Sequence, residues 1–292
     1  MAVVSDSLAA ASRRWAAQPG QVVLRALLYV GVLFGAVIFA IPFYWMIRTA
    51  LMPMDQIYLF PPEWIPNSLH WENFQTPFRT FPFGRWFLNS GTIAVLTVMG
   101  VVLSSSLVGY GFARLRFPFR GAMFVVVLAT MMLPDQVRLV PTYLLFVKLG
   151  WTNTFLPLVV PTWLAPAFYV FLMRQFFMTI PPEMDDSAYI DGCSPLGVYW
   201  RIALPLSLPA LGVAAIYAFT YAWNDFLHPL IYLTKVDIYT VAVGLRLYQG
   251  TLATDLQAMM AAALMSAIPT IALFFVAQRY FVQGIVITGL KG

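Results

Sequence analysis

Side chains able to ligate a metal or act as a nucleophile are scarce in this chain and widely separated. There are two histidines, His70 and His228, and one cysteine, Cys193. No HExxH or GxSxG run and no intramembrane aspartate pair occurs, so zinc hydrolysis and serine-type catalysis lack their residues. The three lysines, Lys148, Lys235 and Lys291, do not end a GxxxxGK[ST] phosphate loop, which removes that route to binding a nucleotide. A lone cysteine makes no intrachain disulfide, so sulfur chemistry does not identify the compartment.

One segment concentrates ionisable residues, 181-PPEMDDSAYIDGCSPLGVYWRIALP-205. Pro182 suits a first helical turn, and Glu183, Asp185 and Asp186 fall where the positive end of the helix dipole favours acids. Asp191-Gly192 is a turn signal, with Gly192 free to take the left-handed conformation that ends a helix. Ser194-Pro195 then opens a second helix by an N-cap and a proline at its first position. Leu204-Pro205 is expected to stop that helix. The spacing predicts a compact helix–turn–helix, acidic at its start. It is either a capped hairpin with solvated acids or a docking knob for a basic cleft on another protein.

Two further sites carry charge near apolar runs. Arg138 reads first as an anchor that snorkels to an interface, and second as a ligand. Asn224 and Asp225, in Trp223-Asn224-Asp225-Phe226-Leu227-His228-Pro229, either cap a helix end or line a polar path; His228 reads as structural.

The elements that must position these residues follow from composition. Of 292 residues, 61% are hydrophobic and 10% charged, against about a quarter charged in ordinary globular chains. With a mean hydropathy of +0.78, the surplus apolar surface must face lipid. The net charge of +5 is small and needs no nucleic acid to explain it. Uncharged runs of 22 to 28 residues separate Arg25 from Arg48, Arg85 from Arg114, Lys148 from Arg174, Arg201 from Asp225 and Asp255 from Arg279. About 20 residues of helix match a hydrocarbon core of ~30 Å, so these are five spans. A sixth, over 121–134, follows from charge bias: Arg114, Arg116 and Arg120 mark one loop as cytoplasmic, and only two crossings after it return the acidic hairpin to the same side. The expected spans are 26–48, 87–112, 119–137, 155–176, 207–231 and 258–280, with both termini cytoplasmic. A short interfacial helix is expected over 139–149. Residues 1–21 read as an unstructured tail, and 22–292 as one transmembrane domain that holds the hairpin.

The hairpin resembles the EAA loop of ABC-transporter permeases. Asp186-Ser187-Ala188 stands at the Glu-Ala-Ala run, Gly192 at the glycine, and Ile202-x-Leu204-Pro205 closes the motif. Asp186 and Ser187 depart from the usual residues, and either Asp186 or Glu183 makes the principal contact. With 115-LRFPFRG-121, 132-MLPDQVRLVPTYLLF-146, 174-RQFF-177, 223-WNDFLHPLIYL-233 and 278-QRYFVQG-284, the chain is most similar to the MalG type of carbohydrate permease, over about residues 25 to 292.

That resemblance implies an all-α type I importer permease, in a bacterial or archaeal inner membrane, with no catalytic or metal site. It implies two cytoplasmic ABC ATPase subunits that bind ATP and magnesium, a homologous second permease and an extracellular or periplasmic solute-binding protein. The coupling residues would be Glu183, Asp185, Asp186, Ser187, Ala188, Asp191, Gly192, Ile202, Leu204 and Pro205. Arg138, Asn224 and Asp225 would lie on the translocation path. A loop over 233–256 would reach the binding protein through Leu245, Tyr248, Gly250 and Thr251. The solute expected is a di- or oligosaccharide. Glycerol-3-phosphate is the alternative, with Arg138 to meet its phosphate. A proton-coupled carrier would need paired mid-membrane acids, and Asp225 is the one acid near a span interior.

Overall fold

A computed structural model describes residues 19–249 and 255–289, with side chains over 23–249 and 255–278. Its contacts fall into two units, one ending at His70 and the other starting at Trp71.

The first unit is a single long helix, α1 (Pro19–Leu51), and the loop after it. The helix starts within the stretch expected to be an unstructured tail; residues 1–18 lie outside the described ones. None of its most apolar window is buried inside the chain. Leu27, Tyr29, Phe34 and Phe39 are all exposed, as a lipid-facing helix requires. The loop folds back on the helix end. Arg48 is 3% exposed, donates to the Glu63 carbonyl at 2.5 Å and lies 4.3 Å from the Trp45 ring centroid. Gln56 bonds the Glu63 carboxylate and accepts from the Asn67 amide.

The second unit is built around α2 (Phe83–Arg114). Its buried residues, among them Trp86, Ser90, Ile93, Ala94, Thr97, Val101 and Tyr110, recur every three or four positions and so form one helical stripe. Against it pack α5 (Ala167–Phe177) and α8 (Leu208–Asn224). Small residues set the approach distance. A Cβ at Gly109 would come 2.8 Å from that of Met173 and 3.2 Å from the Val170 carbonyl, so α2 and α5 meet backbone to backbone. On α8, Ala210, Ala214, Ala218 and Ala222 form an i+4 seam of buried alanines. Lipid gives little hydrophobic drive for helices to associate, so close van der Waals contact between small residues does that work. The last helix, α10 (Leu256–Gly289), is held on α8 by a 3.0 Å bond from Trp223 Nε1 to the Ser266 carbonyl.

Between α2 and α5 the chain bends sharply. α3 (Arg120–Met131) and α4 (Asp135–Lys148) meet at 96° across Met132–Pro134. The expected span 119–137 therefore ends at Met131, and the interfacial helix begins at Asp135 rather than 139. Pro134 is the cause, because the residue before a proline is driven out of the helical region. Twelve residues rise about 18 Å, too little to cross alone. The helical run Leu156–Phe177 is interrupted just before α5, where Ala165 takes a φ of 53°. The α2 side chain Ser104 accepts the Ala165 amide at 3.1 Å, and Trp163 Nε1 donates to the Leu96 carbonyl at 3.1 Å.

Among the described residues four helices are long and apolar enough to cross a membrane, and six crossings result if each of two bent pairs counts as one span. The fifth expected span, 207–231, is shorter than anticipated. α8 ends at Asn224, and a separate short helix, α9 (Leu227–Tyr232), follows.

Candidate functional site

The acidic hairpin is made of α6 (Pro182–Ile190) and α7 (Pro195–Leu206). Its turn is as the local chemistry demands. Gly192 has a φ of 81°, and the Cys193 amide bonds the Ala188 carbonyl at 2.9 Å. Ser194 Oγ accepts the Gly197 amide at 3.2 Å, capping α7. As expected, α7 stops at Leu204-Pro205, ending at Leu206 after a π turn at Tyr199–Ala203, with Ser207 as its C-cap. There the chain bends by 76° into α8.

The two faces of α6 differ. Glu183, Asp186 and Ser187 point outward, as do Asp191 and Gly192 in the turn. Beside them lie Ile190, Leu196 and Trp200, all exposed. Asp185 and Ala188 face the unit's interior. Ile202 and Leu204 are half-buried and Pro205 exposed. The Asp185 carboxylate stands 3.4 Å from Arg114 Nε at the end of α2, and Arg114 also donates to the Ile180 carbonyl at 2.5 Å. Two atoms of this pair, Arg114 Nε and Asp185 Oδ1, are buried with no hydrogen-bond partner among the described residues. Burial accordingly pushes the Asp185 carboxyl above its usual range; Arg114 opposes that rise and Asp186 adds to it.

Two further hydrogen bonds continue the attachment. Tyr110 OH donates to the Pro195 carbonyl at 3.1 Å, and Ser106 Oγ lies 2.8 Å from Tyr199 OH. The rings of Tyr110, Phe177 and Tyr199 pack together with Met173 in a buried cluster. The hairpin is thus pinned to the α2 and α5 ends through Arg114, Tyr110 and Tyr199. Sequence reading missed all three; Arg114 figured only as a marker of the loop's side.

A cavity of about 190 Å³ opens at the opposite end of α8. Seventeen helical residues separate it from the hairpin, a rise of about 25 Å. Arg138 and Asp225 are brought together there, with Asp135 and His228. Arg138 pairs with Asp135 one turn earlier on α4. Asp225 accepts the His228 amide at 3.3 Å, and its Oδ2 lies 3.0 Å from His228 Nδ1. It therefore caps α9 rather than the end of α8. Asn224 is not part of the cavity: its side chain bonds the Thr220 carbonyl of its own helix.

The loop expected to reach a partner protein is strapped to the start of α2. Trp86 Nε1 donates to the Val236 carbonyl at 2.7 Å, and Asn89 Nδ2 to those of Asp237 and Tyr239 at 3.0 Å. Tyr248 is 3% exposed, against Phe81 and Trp86, and Leu245 packs in the same cluster. Both face inward; Arg246 and Gln249 are the exposed residues of this turn. Gly250 and Thr251 lie outside the described residues. Among the described residues no group of three or more His, Cys, Asp or Glu side chains is placed to hold a metal.

Residues 101–287 match the family described as the binding-protein-dependent transport system inner membrane component. The chain belongs to that family. It is a multi-pass membrane permease of an ABC transporter, not an enzyme. The permease is 35% identical over 228 residues to the arabinooligosaccharides transport system permease protein AraQ of Halalkalibacterium halodurans, covering 78% of this chain and 81% of that one. It is 34% identical over 268 residues to the sn-glycerol-3-phosphate transport system permease protein UgpE of Pectobacterium atrosepticum, covering 89% and 94%. A bacterial ABC transporter involved in the import of the acidic polysaccharide alginate shares the fold. Its TM-score is 0.81 at 18% identity, with 90% of the permease and 98% of the other chain covered.

Proposed function

We propose that this permease forms half of the translocation pathway of an ATP-driven sugar importer of a bacterial or archaeal inner membrane. A homologous second permease supplies the other half, and an extracellular or periplasmic binding protein delivers the solute. Two cytoplasmic ATPase subunits bind ATP and magnesium, and the hairpin on this chain is the lever they hold. Both chain termini are cytoplasmic in this reading. The observation that carries it is the division of acids on α6: Asp185 is tied inward to Arg114, while Glu183 and Asp186 face out beside exposed Ile190 and Trp200. An apolar centre with acids at its edge fits a basic cleft on a partner. Closure of the ATPase pair would move α6, and the Arg114, Tyr110 and Tyr199 contacts would pass that motion into α2 and α5.

Reversing both outward charges, Glu183→Lys with Asp186→Lys, is expected to abolish solute uptake while the protein still inserts in the membrane. Uptake at the wild-type rate in cells bearing the double reversal rules out docking through this face. Arabino-oligosaccharides and related neutral sugars are the favoured solutes, from the likeness to AraQ. The likeness to UgpE supports glycerol-3-phosphate as the second reading.

A further inference from the structure

The cavity at the far end of α8 carries a charge balance that distinguishes between those two solutes. Resting on the sugar-importer reading, we propose that it is a subsite for one ring of a neutral polyhydroxylated solute and that it rejects phosphate- and carboxylate-bearing ones. Four ionisable side chains line it: Asp135, Arg138, Asp225 and His228. Asp135 and Arg138 are ion-paired, and so are Asp225 and His228. The first pair sums to zero. The second sums to zero when His228 is protonated and to minus one when it is neutral. In neither state does the cavity hold a surplus positive charge.

A phosphate entering it would find the one guanidinium already committed to a carboxylate, with a second carboxylate nearby. An anion set beside two carboxylates with no free cation is disfavoured by like-charge repulsion. Hydroxyl groups fit the same surroundings, because each can donate to a carboxylate and accept from a guanidinium or imidazole N–H. Two further observations favour a hydroxyl-bearing guest. At ~30 Å³ per liquid water the space takes roughly six waters, the scale of a single sugar ring. A small annex of about 20 Å³ shares Leu158, Thr162, Tyr221 and Asp225 with it and is also lined by Thr97. Thr97 Oγ1 is buried and makes no hydrogen bond among the described residues, so an unused donor and acceptor stands at the wall beside Asp225.

The test uses the assembled transporter in nanodiscs, by equilibrium dialysis with arabinotriose and with sn-glycerol-3-phosphate. Wild-type complex is expected to bind arabinotriose at least tenfold more tightly than the phosphate. Asp225→Asn keeps an α9 cap, since an asparagine carbonyl accepts as well, and should weaken arabinotriose tenfold or more. Asp135→Asn releases Arg138 and should move the preference at least tenfold toward the phosphate. Co-elution of the subunits establishes that each variant assembles. The proposal is overturned if the wild type binds neither probe or prefers the phosphate, or if both assembled variants match the wild type. A parallel measurement on the cognate binding protein separates the two ideas. If that protein takes only anionic solutes, the sugar reading itself falls. If it takes neutral sugars while the cavity variants change nothing, only the subsite falls.

Discussion

At the scale of single residues, the Arg114–Asp185 pair is where stability and function can be told apart. Both side chains are about nine-tenths buried. Removing one partner from such a pair leaves an uncompensated buried charge and costs about 3 kcal/mol or more, whereas replacing both by apolar residues is often neutral. Arg114→Ala should therefore speed hydrogen exchange in α6 and reduce uptake, and Arg114→Met with Asp185→Leu should restore the exchange protection. If the apolar pair restores uptake as well, the two residues act only as structural ties. The raised carboxyl of Asp185 also sets a sign for pH. An acid whose proton is held more firmly in the folded state contributes stability below its ordinary pKa, and that contribution is lost as pH rises through the raised value. Arg114→Ala removes the one opposing influence and moves that loss to higher pH. The inward turn of Asp185 was not legible in the sequence, which presents three acids within four positions as equivalent. Which of them meets α2 depends on how a nine-residue helix is rolled, and that is decided by contacts more than sixty residues away.

Among the elements, the hairpin was the most legible, because its chemistry is local. Pro182, Gly192, Ser194 and Pro195 each act on their own or adjacent backbone, and each holds the expected position. A helix as short as α6 is marginal by itself, so its ends matter. A side chain in the left-handed region costs ~1 kcal/mol or more, and loss of an N-cap costs about as much. Gly192→Ala combined with Ser194→Ala should lower uptake severalfold without loss of membrane insertion, measured by transport against the amount of protein in the membrane. Wild-type transport by this double variant would show that the turn need not be rigid. Element ends were less legible where a polar residue serves the following helix. Asp225 read as a cap on a helix end or a lining of a polar path; it follows the last residue of α8, lines the cavity, and turns its carboxylate to the amide of His228 in α9. Leu204-Pro205 was legible as a stop, since α7 ends one residue beyond it, but the π turn that precedes it was not.

For the whole molecule, the apolar runs revealed the class of protein and the helices that cross, but not the cavity or the strap over α2. Both are assembled from segments some 60 to 150 residues apart, and their polar residues carry no periodic signal. The topology proposed here has a direct check. A cysteine at Ile190, 86% exposed, in a Cys193→Ser background should react with a membrane-impermeant maleimide only after the cells are permeabilised. Labelling of intact cells would invert the orientation and remove the ATPase from the hairpin.

The right-angle elbow between α3 and α4 bears on how the chain is made. A segment of twelve residues gives the insertion machinery too weak a hydropathic cue to be released sideways into lipid by its own merit. Its Phe124 contacts Phe112 of α2 and lies 4.1 Å from the Arg174 guanidinium of α5, a helix synthesised some fifty residues later. Biogenesis of this stretch is accordingly a late event, in which the short segment settles only after its successor has emerged to clasp it.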